Sequence, residues 1–249
     1  MDMNFLKVIQ SSTKRLHDMA ENTGFIKRLI DGDANVETYG EYIYNLYFIY
    51  KAIEENLEKH KDDEVLKEFI TPEVFRANAL LDDSKFLLGY KIDSIEICDS
   101  TRVFVDRLDE ISQTNPKLLV AHAYTRYLAD LFGGRTIFKI IKENYSIENE
   151  GLNYYMFDHI KDLKAFVMEY HQKLDLINLS DEEKAKFLNE ISLSYVFNIS
   201  ISNLMIEVNH IEIKFNLLRS SLLKTIMFST KVEHIISSFN SSLQTSNLE

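Results

Sequence analysis

The sequence predicts an all-α protein. Only two prolines and seven glycines occur among its 249 residues, well below the usual share of these two helix breakers. Leu, Ile, Lys, Glu and Asn are abundant, and apolar residues recur at helical spacing through several long segments. Aromatic residues make up 12% of the chain, with no Trp, so the predicted core is rich in Phe and Tyr. A chain of this length is expected to form one domain with a substantial core.

Capping and breaking signals divide the chain into helices. Thr71 and Pro72 predict a helix start, with Thr71 as the N-cap and Pro72 at the first helical position. Ser180, with Glu183 three residues later, has the pattern of a capping box. The predicted helices span residues 4–22, 25–30, 37–60, 71–88, 100–113, 115–144, 158–176 and 180–210, with a polar loop at 145–154 and a last helical stretch before a polar tail.

Charge and cysteine content exclude several classes of function. The net charge of −11 argues against a nucleic-acid surface, which needs a basic stripe. Cys98 is the only cysteine, so we expect neither an intrachain disulfide nor a cysteine-based metal site, as in a reducing cytoplasm. The first residues lack the pattern of a signal peptide, and no uncharged apolar run reaches the roughly 18 residues of a spanning helix. We therefore expect a cytoplasmic protein without a transmembrane anchor.

The most informative segment is Leu118–Arg135, which carries two adjacent glycines, Gly133 and Gly134, inside a helical pattern. Each glycine costs a helix roughly 0.5–1 kcal/mol relative to Ala, so the pair calls for a reason, such as a kink that lets backbone approach a flat ligand. One turn earlier, Arg126 and Asp130 are spaced i,i+4 and share a helix face. We interpret the segment as one wall of a cofactor pocket.

His17 is the most promising of the seven histidines. It lies near the apolar face of the first predicted helix, where a neutral imidazole could bind a metal, most simply heme iron as a single axial ligand. The alternative is a hydrogen-bonded surface or core histidine. We expect His122 to be structural. Four others are expected to face solvent: His60, His159, His210 and His234.

Asp130 could hold water and deliver protons to a reacting ligand. The alternative is an exposed ion pair with Arg126, which would contribute little to stability. No zinc-protease, phosphate-loop or nucleophile-elbow motif occurs in the chain.

The segment Leu118–Arg135 closely resembles the signature LLVAHAYTRYLGDLSGGQ of the biliverdin-producing heme oxygenases, with identity at every position from 118 to 128. His17–Asn22 resembles the proximal segment of the same family, in which a His is followed three residues later by Ala-Glu-Asn. Residues 47–55 resemble the second helix of the family, and residues 150–155 and 197–199 also fit. The resemblance covers residues 5–207.

The resemblance implies an all-helical bundle that holds heme between a proximal and a kinked distal helix. By position, His17 matches the iron ligand, and Gly133 and Gly134 match distal glycines beside the bound oxygen. Asp130 matches the aspartate that orders water for proton delivery. The other implied positions are Tyr50 and Arg126 as partners of that aspartate, Tyr124 and Thr125 near the heme edge, Lys14 and Lys173 facing the propionates, and Glu21 and His171 as further heme-binding residues.

Four departures from the family pattern bear on the reaction. Ala129 stands where the motif has a third glycine, and Phe132 stands where it has Ser. Both side chains would crowd the distal site or shift its helix. Gln10 replaces a propionate-binding Lys of many members, and His171 replaces an Arg that helps to fix the rotation of heme. The biliverdin isomer therefore stays open.

The implied activity is a heme oxygenase reaction in which heme is both substrate and cofactor. Such an enzyme takes electrons from a separate reductase or ferredoxin, consumes O2, and releases biliverdin, carbon monoxide and ferrous iron. Two alternatives remain: a non-catalytic heme-binding or heme-sensing protein on the same fold, and a helical interaction module without a cofactor. We expect the heme oxygenase domain at residues 1–207 and a C-terminal helical extension with a polar tail at 208–249.

Overall fold

The computed structural model describes residues 4–204, which form a bundle of α-helices joined by 3₁₀ turns and loops. Its α-helices are α1 (Phe5–Glu21), α2 (Gly24–Asp31), α3 (Val36–Lys59), α4 (Ala77–Leu88), α5 (Asp99–Thr114), α6 (Leu119–Tyr145), α7 (Leu163–Asp175) and α8 (Asp181–Leu204). Short 3₁₀ helices span Leu66–Phe69, Pro72–Val74, Gly89–Ser94, Pro116–Leu118, Asn149–Gly151 and Asn153–Tyr155. No strand occurs within residues 4–204, which confirms the all-α prediction.

The extension predicted at 208–249, with His210 and His234, lies outside the described residues. Among the helices that are described, none is both long and apolar enough to cross a bilayer.

Polar side chains at helix starts satisfy backbone N–H groups that have no partner inside the helix. Before α3, the Asn35 side chain accepts from the N–H of Thr38 at 2.8 Å. Before α8, the Glu183 carboxylate accepts from the N–H of Ser180 at 2.7 Å, and the Ser180 hydroxyl accepts from the N–H of Glu183 at 3.3 Å. The predicted capping box is confirmed.

The helix start predicted at Thr71 is wrong. Pro72–Val74 forms a 3₁₀ turn, the Thr71 side chain makes no capping hydrogen bond, and α4 begins at Ala77. The first N–H groups of α4 are satisfied from α3, because the Glu54 carboxylate accepts from the N–H of Arg76 at 2.5 Å and from that of Ala77 at 3.0 Å. This cap comes from 22 residues earlier in the chain, so no local pattern reveals it.

Two further boundaries differ from the prediction. The helix expected from residue 158 begins at Leu163, where the Asp162 side chain accepts from the N–H of Ala165 at 3.0 Å. The polar loop expected at 145–154 contains the 3₁₀ turn Asn149–Gly151 and the start of Asn153–Tyr155. The second of these turns contributes to the site described below.

The helices α3 and α8 organise the bundle. The first packs against α4, α5 and α6, and α8 packs against α1, α2, α5 and α6. Fully buried aromatic side chains fill the core, including Tyr39, Tyr50, Tyr127 and Phe104, in agreement with the predicted Phe- and Tyr-rich core. Because α8 contacts both α1 and α6, it fixes the two helices that form the main walls of the cavity.

A buried charged cluster joins α5, α6 and α8. The Nε2 atom of His122 lies 2.8 Å from one oxygen of Glu190, and the Arg107 guanidinium lies 2.6 Å from the other. Burial lowers the pKa of His122, while its hydrogen bond to Glu190 acts in the opposite direction. Burial alone would raise the pKa of Glu190, but hydrogen bonds from His122 and Arg107 outweigh burial and hold that pKa at about 2. The structural role predicted for His122 is confirmed.

Two of the histidines that were predicted to face solvent, His60 and His159, lie in the described residues, and their surroundings differ. His159 is exposed, as predicted. For His60 the prediction is wrong, because its Nε2 atom lies 3.0 Å from the Ser112 hydroxyl in a partly buried contact between the end of α3 and α5. The sequence around His60 could not reveal this contact, because Ser112 lies 52 residues later in the chain.

We predict that acid destabilises the fold through the His122–Glu190–Arg107 cluster. Unfolded histidine protonates near pH 6.5 and unfolded glutamate near about pH 4.3, whereas folded His122 resists protonation and folded Glu190 stays ionised to about pH 2. The unfolded state thus binds more protons, so the free energy of unfolding falls as the pH drops from about 6.5 towards the low pKa of folded Glu190. Urea unfolding at a series of pH values measures this slope.

The variant Glu190→Gln should flatten the acid part of that slope, because it removes the carboxylate with the depressed pKa. The matched control is Glu110→Gln, which removes an exposed partner of the same arginine at 2.7 Å and should keep the parent slope. An unchanged slope in Glu190→Gln would contradict this assignment.

Candidate active site

A cavity of about 630 Å³ opens between α1 and α6, a volume within the usual range of ligand pockets. From α1 it is lined by residues that include Gln10, Thr13, Lys14, His17 and Glu21, and from α6 by Tyr124, Thr125, Arg126, Ala129, Asp130, Phe132, Gly133 and Gly134. Other elements add Tyr42, Tyr154, Tyr155, His171, Tyr195 and Asn198. Most of the sequence-predicted site residues therefore meet at one cavity.

The two glycines of α6 have different surroundings. A Cβ atom added to Gly134 would lie 3.2 Å from the Tyr155 ring, whereas one added to Gly133 would meet no described atom within 4 Å. Gly134 thus permits close packing of the helix, and Gly133 keeps cavity space open beside bare backbone. The helix α6 is continuous across the pair, and the kink stays a prediction.

Asp130 is buried in the cavity wall, and both of its oxygens accept hydrogen bonds. The Tyr50 hydroxyl donates to Oδ2 and the Tyr154 hydroxyl donates to Oδ1. Behind the phenols, Arg126 donates from Nε to the Tyr50 oxygen at 3.0 Å and from Nη2 to the Tyr154 oxygen at 3.1 Å. Its Nη1 donates to Asn198 Oδ1 at 2.8 Å. The alternative of an exposed Arg126–Asp130 pair is therefore wrong.

Burial sets the protonation states of this cluster. Burial raises the pKa of Asp130, while the charge of Arg126 and the hydrogen bonds from Tyr154 and Tyr50 oppose that rise. Burial also raises the pKa values of both phenols well above the ordinary value for tyrosine, so they stay protonated at neutral pH. Although burial opposes the charge on Arg126, the two phenols and Asp130 raise its pKa overall. The cluster therefore places at the cavity a carboxyl group that two neutral phenols hold by hydrogen bonds.

His17 lies on α1 with half of its side chain exposed and its ring lining the cavity. Its Nε2 atom is 3.7 Å from Glu21 Oε1, and its Nδ1 atom is 4.0 Å from Asp18 Oδ1, distances longer than a hydrogen bond. Within residues 4–204, no three His, Cys, Asp or Glu side chains converge to hold a metal ion. His17 presents to the cavity an imidazole with no hydrogen bond to either neighbouring carboxylate.

The two predicted lysines have different positions. Lys14 lines the cavity, is largely exposed, and pairs with Asp18 at 2.9 Å. The structure does not bring Lys173 to the cavity, since this residue pairs with Glu169 on α7 at 2.9 Å and lines a separate surface pocket. Lys14 is therefore the lysine available to an anionic group at the cavity rim.

Three further predicted residues form or support the α6 wall. Tyr124 and Thr125 are buried along it, and the Thr125 hydroxyl donates to the carbonyl of Ala121 at 2.7 Å. Tyr50 is fully buried on α3 behind Asp130 and does not itself line the cavity. It reaches the site only through its hydroxyl.

The family departures cluster at the cavity edge. Phe132 is 62% exposed, and its ring stacks on that of His171 from α7, with centroids 6.4 Å apart. Burial lowers the pKa of His171, with Asp175 acting in the opposite direction, so the imidazole is largely neutral at pH 7. Ala129 lines the same wall. The Phe132 ring thus contacts a neighbouring helix at the rim.

Sequence reasoning missed Tyr154 and Asn198 as members of the polar cluster. Both lie in segments that resemble the family, 150–155 and 197–199, but neither segment carries a pattern that assigns a role to a single side chain. Tyr195, whose ring meets that of His17 with centroids 6.1 Å apart, had no sequence signal. These three residues reach the cavity only through the packing of α8 and the 153–155 turn.

The surroundings of the two glycines predict different effects in the ligand-free protein. Gly133→Ala should raise the free energy of unfolding by up to about 1 kcal/mol, because Ala is the better helix former and its methyl group meets no described atom. Gly134→Ala should raise the free energy of unfolding less than Gly133→Ala does, or should lower it, because its methyl group would press on the Tyr155 ring. Urea unfolding followed by circular dichroism measures both, and equal stabilisation of the two variants would contradict the assignment.

Comparisons with known proteins agree with this geometry. A sequence model of the family Heme oxygenase matches residues 3–203. The heme oxygenase of Guillardia theta is 35% identical over 228 residues, which cover 90% of this chain and 95% of that protein, and that of Rhodella violacea is 36% identical over 202 residues, covering 80% and 86%.

Solved structures give the same result. A heme oxygenase from Leptospira interrogans superposes with a TM-score of 0.77 at 33% identity, covering 81% of this chain and 99% of that one. Heme oxygenase-1 from the cyanobacterium Synechocystis sp., in complex with heme, gives a TM-score of 0.77 at 31% identity, covering 92% and 99%. This chain therefore belongs to the heme oxygenase family.

Proposed function

We propose that this enzyme cleaves heme oxidatively to biliverdin, carbon monoxide and ferrous iron, with O2 as oxidant and electrons from a separate reductase or ferredoxin. One observation carries the proposal. His17 on α1 has ring nitrogens beyond hydrogen-bond distance of its carboxylate neighbours, and it lines the same cavity as the buried, doubly hydrogen-bonded Asp130 on α6.

The described residues fit heme as the ligand. Gly133 leaves open space beside the α6 backbone, where a flat ring system can lie. Bound heme supplies the redox-active iron and, as substrate, the carbon atoms that are oxidised. His17 would hold the iron from α1 as a neutral imidazole. The Glu21 carboxylate, 3.7 Å from the ring, would orient that imidazole, as carboxylates commonly do for metal-bound histidine.

On the opposite wall, Asp130 would hold water for proton delivery. A carboxylate has about four lone-pair sites, and the phenols of Tyr50 and Tyr154 use two of them. The remaining sites can accept from water in the cavity. Such water would pass protons to the reacting oxygen, since general acid–base catalysis works through direct contact or one bridging water. Arg126 fixes both phenols by donating to their oxygens.

The rim would bind the carboxylates of heme. Lys14 lines this rim and would turn from Asp18 to the ligand, whereas Lys173, paired with Glu169, does not line the cavity. His171, largely neutral and stacked on Phe132, makes a weaker partner for a carboxylate than a guanidinium does. Tyr124 and Thr125 would lie beside the edge of the heme. We assign the heme site to the domain at residues 1–207 and place the enzyme in the cytoplasm, where a reductase can supply electrons.

A non-catalytic heme-binding protein is the second candidate, because Ala129 places a methyl group on the distal wall. Product analysis separates the two. The purified protein with heme, O2 and ascorbate or a reductase should yield biliverdin and carbon monoxide. Stable bound heme would favour the second candidate, and the absence of any heme complex would favour an interaction module without a cofactor.

The first functional prediction concerns His17. His17→Ala should abolish the absorption spectrum of histidine-bound heme, because the nitrogen that would bind the iron is lost, and added imidazole should restore that spectrum. The control is His159→Ala, which removes an exposed histidine that does not line the cavity. An unchanged spectrum in His17→Ala would exclude His17 as the iron ligand.

The second functional prediction concerns Asp130. Asp130→Asn should bind heme with the parent affinity but form biliverdin about 100-fold more slowly, the usual scale for loss of a general acid–base group. Asp99→Asn is a suitable control, because this exposed carboxylate pairs with Arg102 on α5 and does not line the cavity. Biliverdin formation at the parent rate in Asp130→Asn would rule out the proton-delivery role.

A further inference from the structure

Two phenols, those of Tyr50 and Tyr154, hold Asp130. The hydroxyl of Tyr154 donates to Oδ1 of Asp130 and accepts from Nη2 of Arg126 at 3.1 Å. Tyr154 is 3% exposed, so its hydroxyl has been removed from bulk water to make these contacts. A buried phenol in this position is satisfied as both donor and acceptor.

The proton positions of the cluster follow from its donors. Arg126 can only donate, so the oxygens of Tyr50 and Tyr154 accept from it. Each phenol has one proton, and each directs that proton at a different oxygen of Asp130. The two phenol oxygens lie 3.0 Å apart, and no proton is left for a bond between them. Removing either phenol therefore leaves one carboxylate oxygen without its donor.

Tyr154 differs from Tyr50 in its access to the cavity. Tyr154 lines the cavity, whereas Tyr50 is enclosed behind Asp130. Of the two phenols, Tyr154 is therefore the one beside the space in which ligand and water would lie. It limits how far the Oδ1 side of the carboxylate can turn towards that space.

A second buried carboxylate fixes the backbone of Tyr154. Asp83 on α4 is fully buried and accepts from the N–H of Tyr154 at 2.8 Å. The same side chain accepts from the N–H of Asn153 at 2.9 Å and from its Nδ2 at 2.8 Å. The Arg76 guanidinium also donates to the carbonyl of Met156 at 2.6 Å. The short turn that carries Tyr154 is thus held on one side by Asp83 in the middle of α4 and on the other by Arg76, the residue before that helix.

We infer that Tyr154 is a positioning residue for Asp130 and that Asp83 acts through it. Tyr154 holds Oδ1, keeps the carboxylate in one orientation and favours its ionised form, while Asp83 keeps Tyr154 in place. The expected effect on the rate of biliverdin formation rests on the proposed function. The expected effect on the protonation of Asp130 does not, because it is measured in the ligand-free protein.

The charged and titratable groups that face Asp130 come from several elements. They are Tyr42 and Tyr50 on α3, Arg126 and Tyr127 on α6, Tyr154 and Tyr155 on the 153–155 turn, and Arg76 before α4. Among them, the Tyr154 hydroxyl is a donor that stabilises the charged form of Asp130. Its removal should therefore raise the pKa of Asp130.

The test is Tyr154→Phe, measured first in the ligand-free protein by carbon-13 NMR of the aspartate carboxyl groups, with Asp130→Asn to assign the signal. Because a hydrogen bond to a charged group is among the stronger ones, the titration midpoint of Asp130 should rise by about one pH unit or more. The matched control is Tyr145→Phe at the end of α6, which loses hydrogen bonds to Leu29 and Ala34, residues that do not line the cavity, and should leave the midpoint unchanged. An unmoved midpoint in Tyr154→Phe, or an equal shift in Tyr145→Phe, would overturn the inference.

Asp83→Asn tests the second step. An asparagine that kept its oxygen towards Asn153 would place an NH2 group against the N–H of Tyr154, where Asp83 now accepts. The midpoint of Asp130 should rise in this variant, and the double variant with Tyr154→Phe should show no further rise. Additive shifts would overturn the claim that Asp83 acts through Tyr154. If Asp83→Asn does not fold, as circular dichroism would reveal, the result for Tyr154→Phe decides.

Turnover separates this inference from the proposed function. With parent activity established, Tyr154→Phe should bind heme with the parent affinity, form biliverdin several-fold more slowly at neutral pH, and shift its pH–rate profile upward. A parent rate and profile in Tyr154→Phe would overturn the inference and leave the proposed function intact. A parent protein that forms no biliverdin, although the midpoint shifts in Tyr154→Phe, would refute the proposed function and support the hold of Tyr154 on Asp130.

Discussion

The buried Arg126–Asp130 pair is the constraint on which the rest of the site depends. Removing two charges from water costs several kcal/mol for each ion, and this cost is offset only where the remaining donors and acceptors are satisfied. Here the satisfying groups come from different elements: Tyr50 from α3, Tyr154 from the 153–155 turn and Asn198 from α8. The pair therefore requires these elements to pack in one relative position. Apolar packing alone would allow more than one such position.

A second polar contact, on the same face of α6, reinforces that relative position. His122, one turn before Arg126, binds Glu190 on α8, and Arg126 itself binds Asn198 on the same helix. The two links join α6 to α8 at successive turns. Since α8 also packs against α1, the helix that carries His17 is positioned relative to the helix that carries Asp130 through a shared neighbour.

Local patterns in the sequence predicted what depends on local physics. Helical spacing and few breakers predicted the all-α class, and the glycine pair marked the helix that lines the cavity. The i,i+4 spacing placed Arg126 and Asp130 on one face, but an exposed pair and a buried pair have the same spacing. Their burial depends on Tyr154 and Asn198, which are distant in sequence. The cap of α4 by Glu54 escaped prediction for the same reason.

A crystal structure of the protein with bound heme tests the central claim most directly, namely that the Asp130 cluster keeps its hydrogen bonds when the ligand binds. We expect heme between α1 and α6, iron bound to His17, and the hydroxyls of Tyr50 and Tyr154 still hydrogen-bonded to Asp130. Iron bound by another residue, or an Asp130 carboxylate turned away from both phenols, would contradict this expectation.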